Sequence, residues 1–235
     1  MTDPSKFVLL NVADTCSIWN VLASRLLRAA TRGARVSLCL TQFVRYECLH
    51  KPGQPRPERS ELQSRLGREL DSGSIACCSI DLEDLQEVEV LQARGRMSKG
   101  ELSSMVFAKK TQQAFMTDDR KAARLAEKIL PAGNVQSTPH LVGWMYFMGR
   151  FEDSDKATIV AELAGLGRNL QPHLDTAYQE ALRCRLAALT PNLLRRASGA
   201  FSSPQCAQNG ISSSVIGENS GSESGITKAP STESS

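Results

Sequence analysis

The stretch KFVLLNVADTCSIWN, residues 6–20, sets an aspartate and two hydroxyl residues directly after a run of apolar side chains. The run is continuous rather than alternating, which marks a strand buried on both faces, as in a parallel sheet covered by helices. Four further short β-prone runs recur along the chain, at residues 36–40, 74–80, 114–117 and 134–137. Between and after them lie segments with apolar spacing of three and four, at 17–31, 42–50, 60–72, 82–94, 99–111, 120–129, 139–149, 154–166 and 173–189. This alternation predicts an α/β protein, a three-layer α/β/α stack around a mostly parallel sheet of about five strands. The Pro- and Arg-rich stretch at residues 50–60 reads as a surface loop.

The chain has 235 residues, 41% of them hydrophobic, enough for a sizeable core, and its net charge of +3 announces no global basic field. Any contact with a polyanion therefore has to be local. Seven cysteines without a CxxC pair or a Cys/His metal spacing fit a reducing, cytoplasmic setting. The N-terminal residues lack a signal-peptide pattern, and no apolar run approaches the ~20 residues of a membrane span. The Ser/Gly-rich residues 191–235 cannot offset the entropy of ordering and read as a disordered tail behind a domain over residues 1–190.

In open parallel sheets ligands bind beyond the carboxyl ends of the strands, so polar residues after each apolar run come into focus. Asp14 follows the first run, Glu47 lies just past the second, and Asp118 and Asp119 follow the fourth. Glu101 opens the helix after SKG. Each also reads as structure. Asp14 and either Asp118 or Asp119 suit helix N-caps, Ser98 and Glu101 have capping-box spacing, and Glu47 could simply be solvated. Asp81 reads as the cap of its own acidic helix. Several carboxylates at one sheet edge repel one another, and a divalent cation is the usual compensation.

Taken in order, LNVADTCSIWN, YECL, SKGELSSMVFAKK and FMTDDRKAARLAEK resemble the acidic segments of PIN-domain proteins, in a bacterial toxin-like branch. The resemblance covers most of residues 5–188. It implies a metal-dependent endoribonuclease that uses Mg²⁺ or Mn²⁺, with a cognate antitoxin as partner; the alternative is an inactive PIN-like module that binds RNA or protein. It further implies an acidic cluster of Asp14, Glu47, Glu101 and Asp119, with metal held by Asp14, Glu101, Asp119 and Asp118. Asp119 takes precedence over Asp118 because it matches a Thr-x-Asp pattern. Thr15, Ser17, Asn20 and Thr117 would orient the carboxylates. RNA phosphates would meet Arg45, Lys51, Lys99 and Arg120, with Arg56, Arg59, Arg94, Arg96 and Lys121 as further basic candidates. The apolar run LVGWMYFMG reads as core; an exposed part of it would serve a homodimer or an antitoxin contact.

Overall fold

The computed structural model describes residues 3–52, 54, 56–94 and 97–199, the side chains of Arg94 and of residues 190–199 excepted. Five strands form one all-parallel sheet: β1 (Leu10–Ala13), β2 (Ser37–Thr41), β3 (Ala76–Cys78), β4 (Ala114–Met116) and β5 (Val135–Gln136). Their spatial order is β3-β2-β1-β4-β5, so β1 is central and the winding reverses between β1 and β4. Asn11 of β1 is in register with Leu38 of β2 and with Ala114 of β4.

Alternate residues of each strand face opposite helical layers, which is why the apolar runs are continuous. Val12, Cys39 and Phe115 pack with Met105 and Ala108 of α6 (Lys99–Thr111) and with Ala122 and Ala126 of α7 (Arg120–Ala126). On the other face Ala13, Leu40 and Met116 meet Ile18 and Val21 of α1 (Thr15–Ala23) and Leu141 and Met145 of α8 (Thr138–Phe147). Burying each large side chain of this kind stabilises the fold by about 1.5–3 kcal/mol.

The remaining helices are α2 (Arg25–Gly33), α3 (Gln42–Leu49), α4 (Pro57–Asp71), α5 (Leu82–Arg94), α9 (Asp155–Gly165) and α10 (Gln171–Gly199). Several boundaries differ from the sequence reading. The single helix expected over 17–31 is two, because Ser24 leaves helical geometry to cap α2 and its hydroxyl donates to Glu162 Oε2 at 2.6 Å. The loop expected at 50–60 gives way to α4 from Pro57, where proline's missing N–H suits a first turn. The boundary expected at residue 190 falls inside α10, which extends to Gly199; residues 200–235, the bulk of the expected tail, lie outside the described residues.

The apolar helix α8 is core. Leu141 to Tyr146 are buried, and α10 approaches so closely that a Cβ on Gly143 would sit 3.2 Å from the Ala177 carbonyl oxygen. Only Met148, at its end, is well exposed. Among the described residues no helix is long and apolar enough to cross a membrane.

Candidate active site at the switch point of the sheet

Where the winding of a parallel sheet reverses, the loops after two neighbouring strands splay apart and leave a crevice. Here those strands are β1 and β4, and the residues that follow them are Asp14 and Thr117-Asp118-Asp119. Asp14 is fully buried. Its backbone N–H donates to the Met116 carbonyl, continuing the β1–β4 ladder by one residue. Its Oδ1 accepts from the Ser17 N–H at 2.7 Å, capping α1, and its Oδ2 accepts from the Thr117 hydroxyl at 2.6 Å. Burial pushes the carboxyl up from 3.8 to about 7; the Thr117 and Ser17 bonds pull it down, and the nearby charge of Asp118 pushes it up again. The Ser17 hydroxyl, also buried, adds a weaker downward pull of its own.

Glu47 is brought in by α3. Its Oε2 accepts from the Thr15 hydroxyl at 2.8 Å and its Oε1 from the Gly100 N–H at 3.2 Å. Gly100 has to be glycine for this contact, since a Cβ there would lie 2.5 Å from Glu47 Oε2. Glu101, the next residue, closes a capping box: its Oε2 accepts from the Ser98 N–H at 2.8 Å while its own N–H donates to Ser98 Oγ at 3.1 Å.

Of the two aspartates after β4, Asp118 is the one that turns toward α1. Its Oδ2 accepts from Asn20 Nδ2 and from the Thr138 hydroxyl, each at 2.6 Å, and its Oδ1 accepts from the Thr138 N–H at 2.8 Å. Asp119 caps α7, with Oδ1 accepting from the Lys121 and Ala122 N–H groups. Asn20 in turn accepts from Arg168 Nε at 2.6 Å. The Cys16 thiol is pushed up to about 11, first by burial and then by the negative charge of Asp14, Asp118 and Glu101, against the opposing charge of Arg168. One negative field thus spans this end of the sheet.

The expected four-carboxylate cage is nevertheless not assembled. Among the described residues no three His, Cys, Asp or Glu side chains stand close enough to hold a metal ion. The physical reason is local: Glu101 is drawn back to the start of α6 and Asp119 to the start of α7. Among the described residues each keeps one oxygen, Oε1 and Oδ2, without a hydrogen bond.

Beside the carboxylates opens a cleft of about 910 Å³ lined by Thr15, Trp19, Glu47, Arg56, Arg59 and Arg168, among others. None of the three arginines is paired with a carboxylate among the described residues. Trp19 and Arg168 are absent from the sequence-based site. Arg168 follows Gly167, whose φ of +70° ends α9, and that glycine between two helical patterns is the signal that could have drawn attention to the turn. Of the expected basic residues, Lys51 and Lys99 line a second depression of about 600 Å³ on the other side of Glu47. Arg45 lies beside Cys77 of β3, and Arg120 is exposed at the start of α7, so neither lines the cleft. Arg96 lies outside the described residues, as does the side chain of Arg94. No protein-family model matches the chain, and no curated protein matches it.

Proposed function

We propose that the chain is an endoribonuclease that hydrolyses RNA phosphodiester bonds with the help of Mg²⁺ or Mn²⁺. The observation that carries this reading is Asp14: a carboxylate at the switch point, buried with too little compensation to stay ionised easily, and near the second carboxylate of Asp118. Such a group calls for a cation, and Asp14, Asp118 and the Thr117 hydroxyl offer oxygen ligands, the chemistry of a hard divalent ion. Mg²⁺ needs only one or two protein carboxylates when it keeps waters and takes a phosphate oxygen, so Asp14 with Asp118 is a sufficient protein set. When bound, the ion would lower the pKa of a water and offset the charge that builds on the phosphate.

The rest falls to the chain's own residues. Arg56, Arg59 and Arg168 line the cleft and supply guanidinium donors that match phosphate oxygens in pairs. Glu47, unlike Asp14 and Asp118, reaches the cleft wall, where Thr15 and Gly100 fix it as acceptor for the proton of the attacking water. Asn20 ties Asp118 to Arg168, so the acidic and basic sides are set by one amide. In the toxin-like form of this reading an antitoxin silences the protein; the exposed Tyr46 on the depression beside Glu47 gives such a partner an apolar hold.

The test is cleavage of end-labelled RNA by the purified full chain. Cleavage should require added Mg²⁺ or Mn²⁺, vanish in Asp14→Asn, and fall on the order of 10–100-fold in Arg168→Ala. A second reading is favoured by the lack of a three-carboxylate group among the described residues: a PIN-like module that binds RNA without cutting it. RNA binding with no metal-dependent cleavage would decide for the module and against the nuclease.

A further inference from the structure

At the opposite end of the strands from Asp14, where β2 begins rather than ends, lies a concentration of positive charge with no part in the cleft. β2 runs from Ser37 to Thr41, which sets the two ends ~13 Å apart. Arg28, Arg32 and Arg35 line a depression of about 360 Å³ together with Ser37, Gly73 and Ser74. Arg25, Arg28, Arg32, Arg65 and Arg68 line a second of about 450 Å³. Because Arg28 and Arg32 line both, the two adjoin and make one basic groove surface between α2, α4 and the turn before β3.

The charge in this groove is only partly answered. Arg28 is a fixed floor: it is buried, pairs with Glu69 at 2.5 Å and donates to the Ser74 carbonyl at 3.1 Å. Arg65 pairs with Glu61 at 2.8 Å and also donates to the Leu22 and Ala23 carbonyls at the end of α1. Arg25 shares Glu61 at 3.8 Å. Arg32, Arg35 and Arg68 are exposed and have no carboxylate partner among the described residues. Six arginines therefore face two glutamates, in a protein whose whole net charge is +3. Helix α2 alone carries Arg25, Arg28 and Arg32, at steps of three and four that keep them on one side.

We propose that this groove binds the sugar–phosphate backbone of single-stranded RNA, as a second contact remote from the Asp14 cleft. The ligand is a phosphodiester chain for three reasons. The groove's basic residues are arginines without a single lysine, and the planar guanidinium is the group that engages phosphate oxygens bidentately. The surface is a pair of adjoining hollows rather than a flat face, which suits a strand better than a bilayer. No aromatic side chain lines it, so it offers phosphate contacts without stacking on bases and reads no sequence. The acceptors of an acidic protein segment would satisfy the same arginines and are the rival to be tested.

The experiment uses the full chain in excess chelator, so that no cleavage occurs, and follows anisotropy of a labelled twenty-nucleotide oligouridylate from about 50 to 200 mM salt. Arg32→Gln/Arg68→Gln should weaken binding by on the order of tenfold at the low-salt end and flatten the log–log salt slope by ~1.4, at ~0.7 per lost phosphate contact. Both side chains are exposed, and unchanged circular dichroism melts certify the fold; Lys128→Gln removes charge elsewhere and should leave binding as it was. Unchanged affinity and slope in the double variant would overturn the proposal. So would loss of binding to polyglutamate or to phosphatidylserine vesicles with RNA binding retained. Since binding is read in chelator, absence of metal-dependent cleavage would count against the nuclease reading alone.

Discussion

Replacing Asp14 with asparagine should stabilise the folded protein, and only toward neutral and alkaline pH. Burial holds the Asp14 carboxyl at about 7 against an ordinary value of 3.8. Below pH 3.8 the group is protonated in the folded and the unfolded chain alike, and its charge exacts nothing. As the pH rises, the unfolded chain gives up this proton first while the folded chain keeps it, so the folded state loses ground until the pH passes about 7. At 1.36 kcal/mol per unit, the span from 3.8 to about 7 amounts to about 4 kcal/mol at pH 8. Asparagine carries no charge at either pH. Its oxygen can still accept from Ser17, but its amide donates where Asp14 accepted from Thr117, at a loss of about 1 kcal/mol. The variant should therefore be about 1 kcal/mol less stable than the parent near pH 3 and about 3 kcal/mol more stable at pH 8, or roughly 6–12 °C in Tm. Thermal and urea melts in chelator at the two pH values read this directly. Added Mg²⁺ should then raise the Tm of the parent and leave Asp14→Asn unmoved, because only the ionised carboxylate gains from the cation. A stability difference that is the same at both pH values would refute the reasoning.

Two further substitutions probe the supports of the site. Gly100→Ala places a Cβ 2.5 Å from Glu47 Oε2, at the mobile end of that side chain; stability should change by under about 1 kcal/mol in urea melts, since alanine favours the helix, while RNA cleavage falls at least about tenfold as Glu47 is displaced. Ser24→Ala removes the cap of α2 and strips Glu162 of its hydroxyl donor, so urea melts should show a loss of about 1–2 kcal/mol with cleavage unaffected.

The layered fold was legible because its signal is local and repeated. Val12 and Ala13, Cys39 and Leu40, Phe115 and Met116 are apolar neighbours whose side chains enter opposite layers, and that forces continuous apolar strands. Breaks that depend on distant partners were not legible. Apolar spacing continues across Ser24, and what divides α1 from α2 there includes Glu162, 138 residues further on. The choice between Asp118 and Asp119 is of the same kind. Thr-x-Asp spacing favours Asp119, yet the partners of Asp118, Asn20 and Thr138, lie 98 and 20 residues away and draw it toward α1. Arg168 sits in a turn after α9 without any periodic pattern, and only the folded chain brings it to Asn20.

The same geometry resolves the conflict between cap and ligand that the acidic residues pose in sequence. A carboxylate has two oxygens, and a cap occupies one of them. Asp14 spends Oδ1 on the Ser17 N–H, Glu101 spends Oε2 on Ser98, and Asp119 spends Oδ1 on Lys121 and Ala122. The oxygen left over is held in a fixed direction by the capping bond itself, and pre-orientation of this kind lowers the entropy lost when a ligand is bound. The three differ in what surrounds that second oxygen. For Asp14 it is a buried threonine hydroxyl, where an extra positive charge relieves a carboxyl raised by burial. Capping accounts for the conformations of Glu101 and Asp119, so Asp14 is the residue on which the functional reading turns.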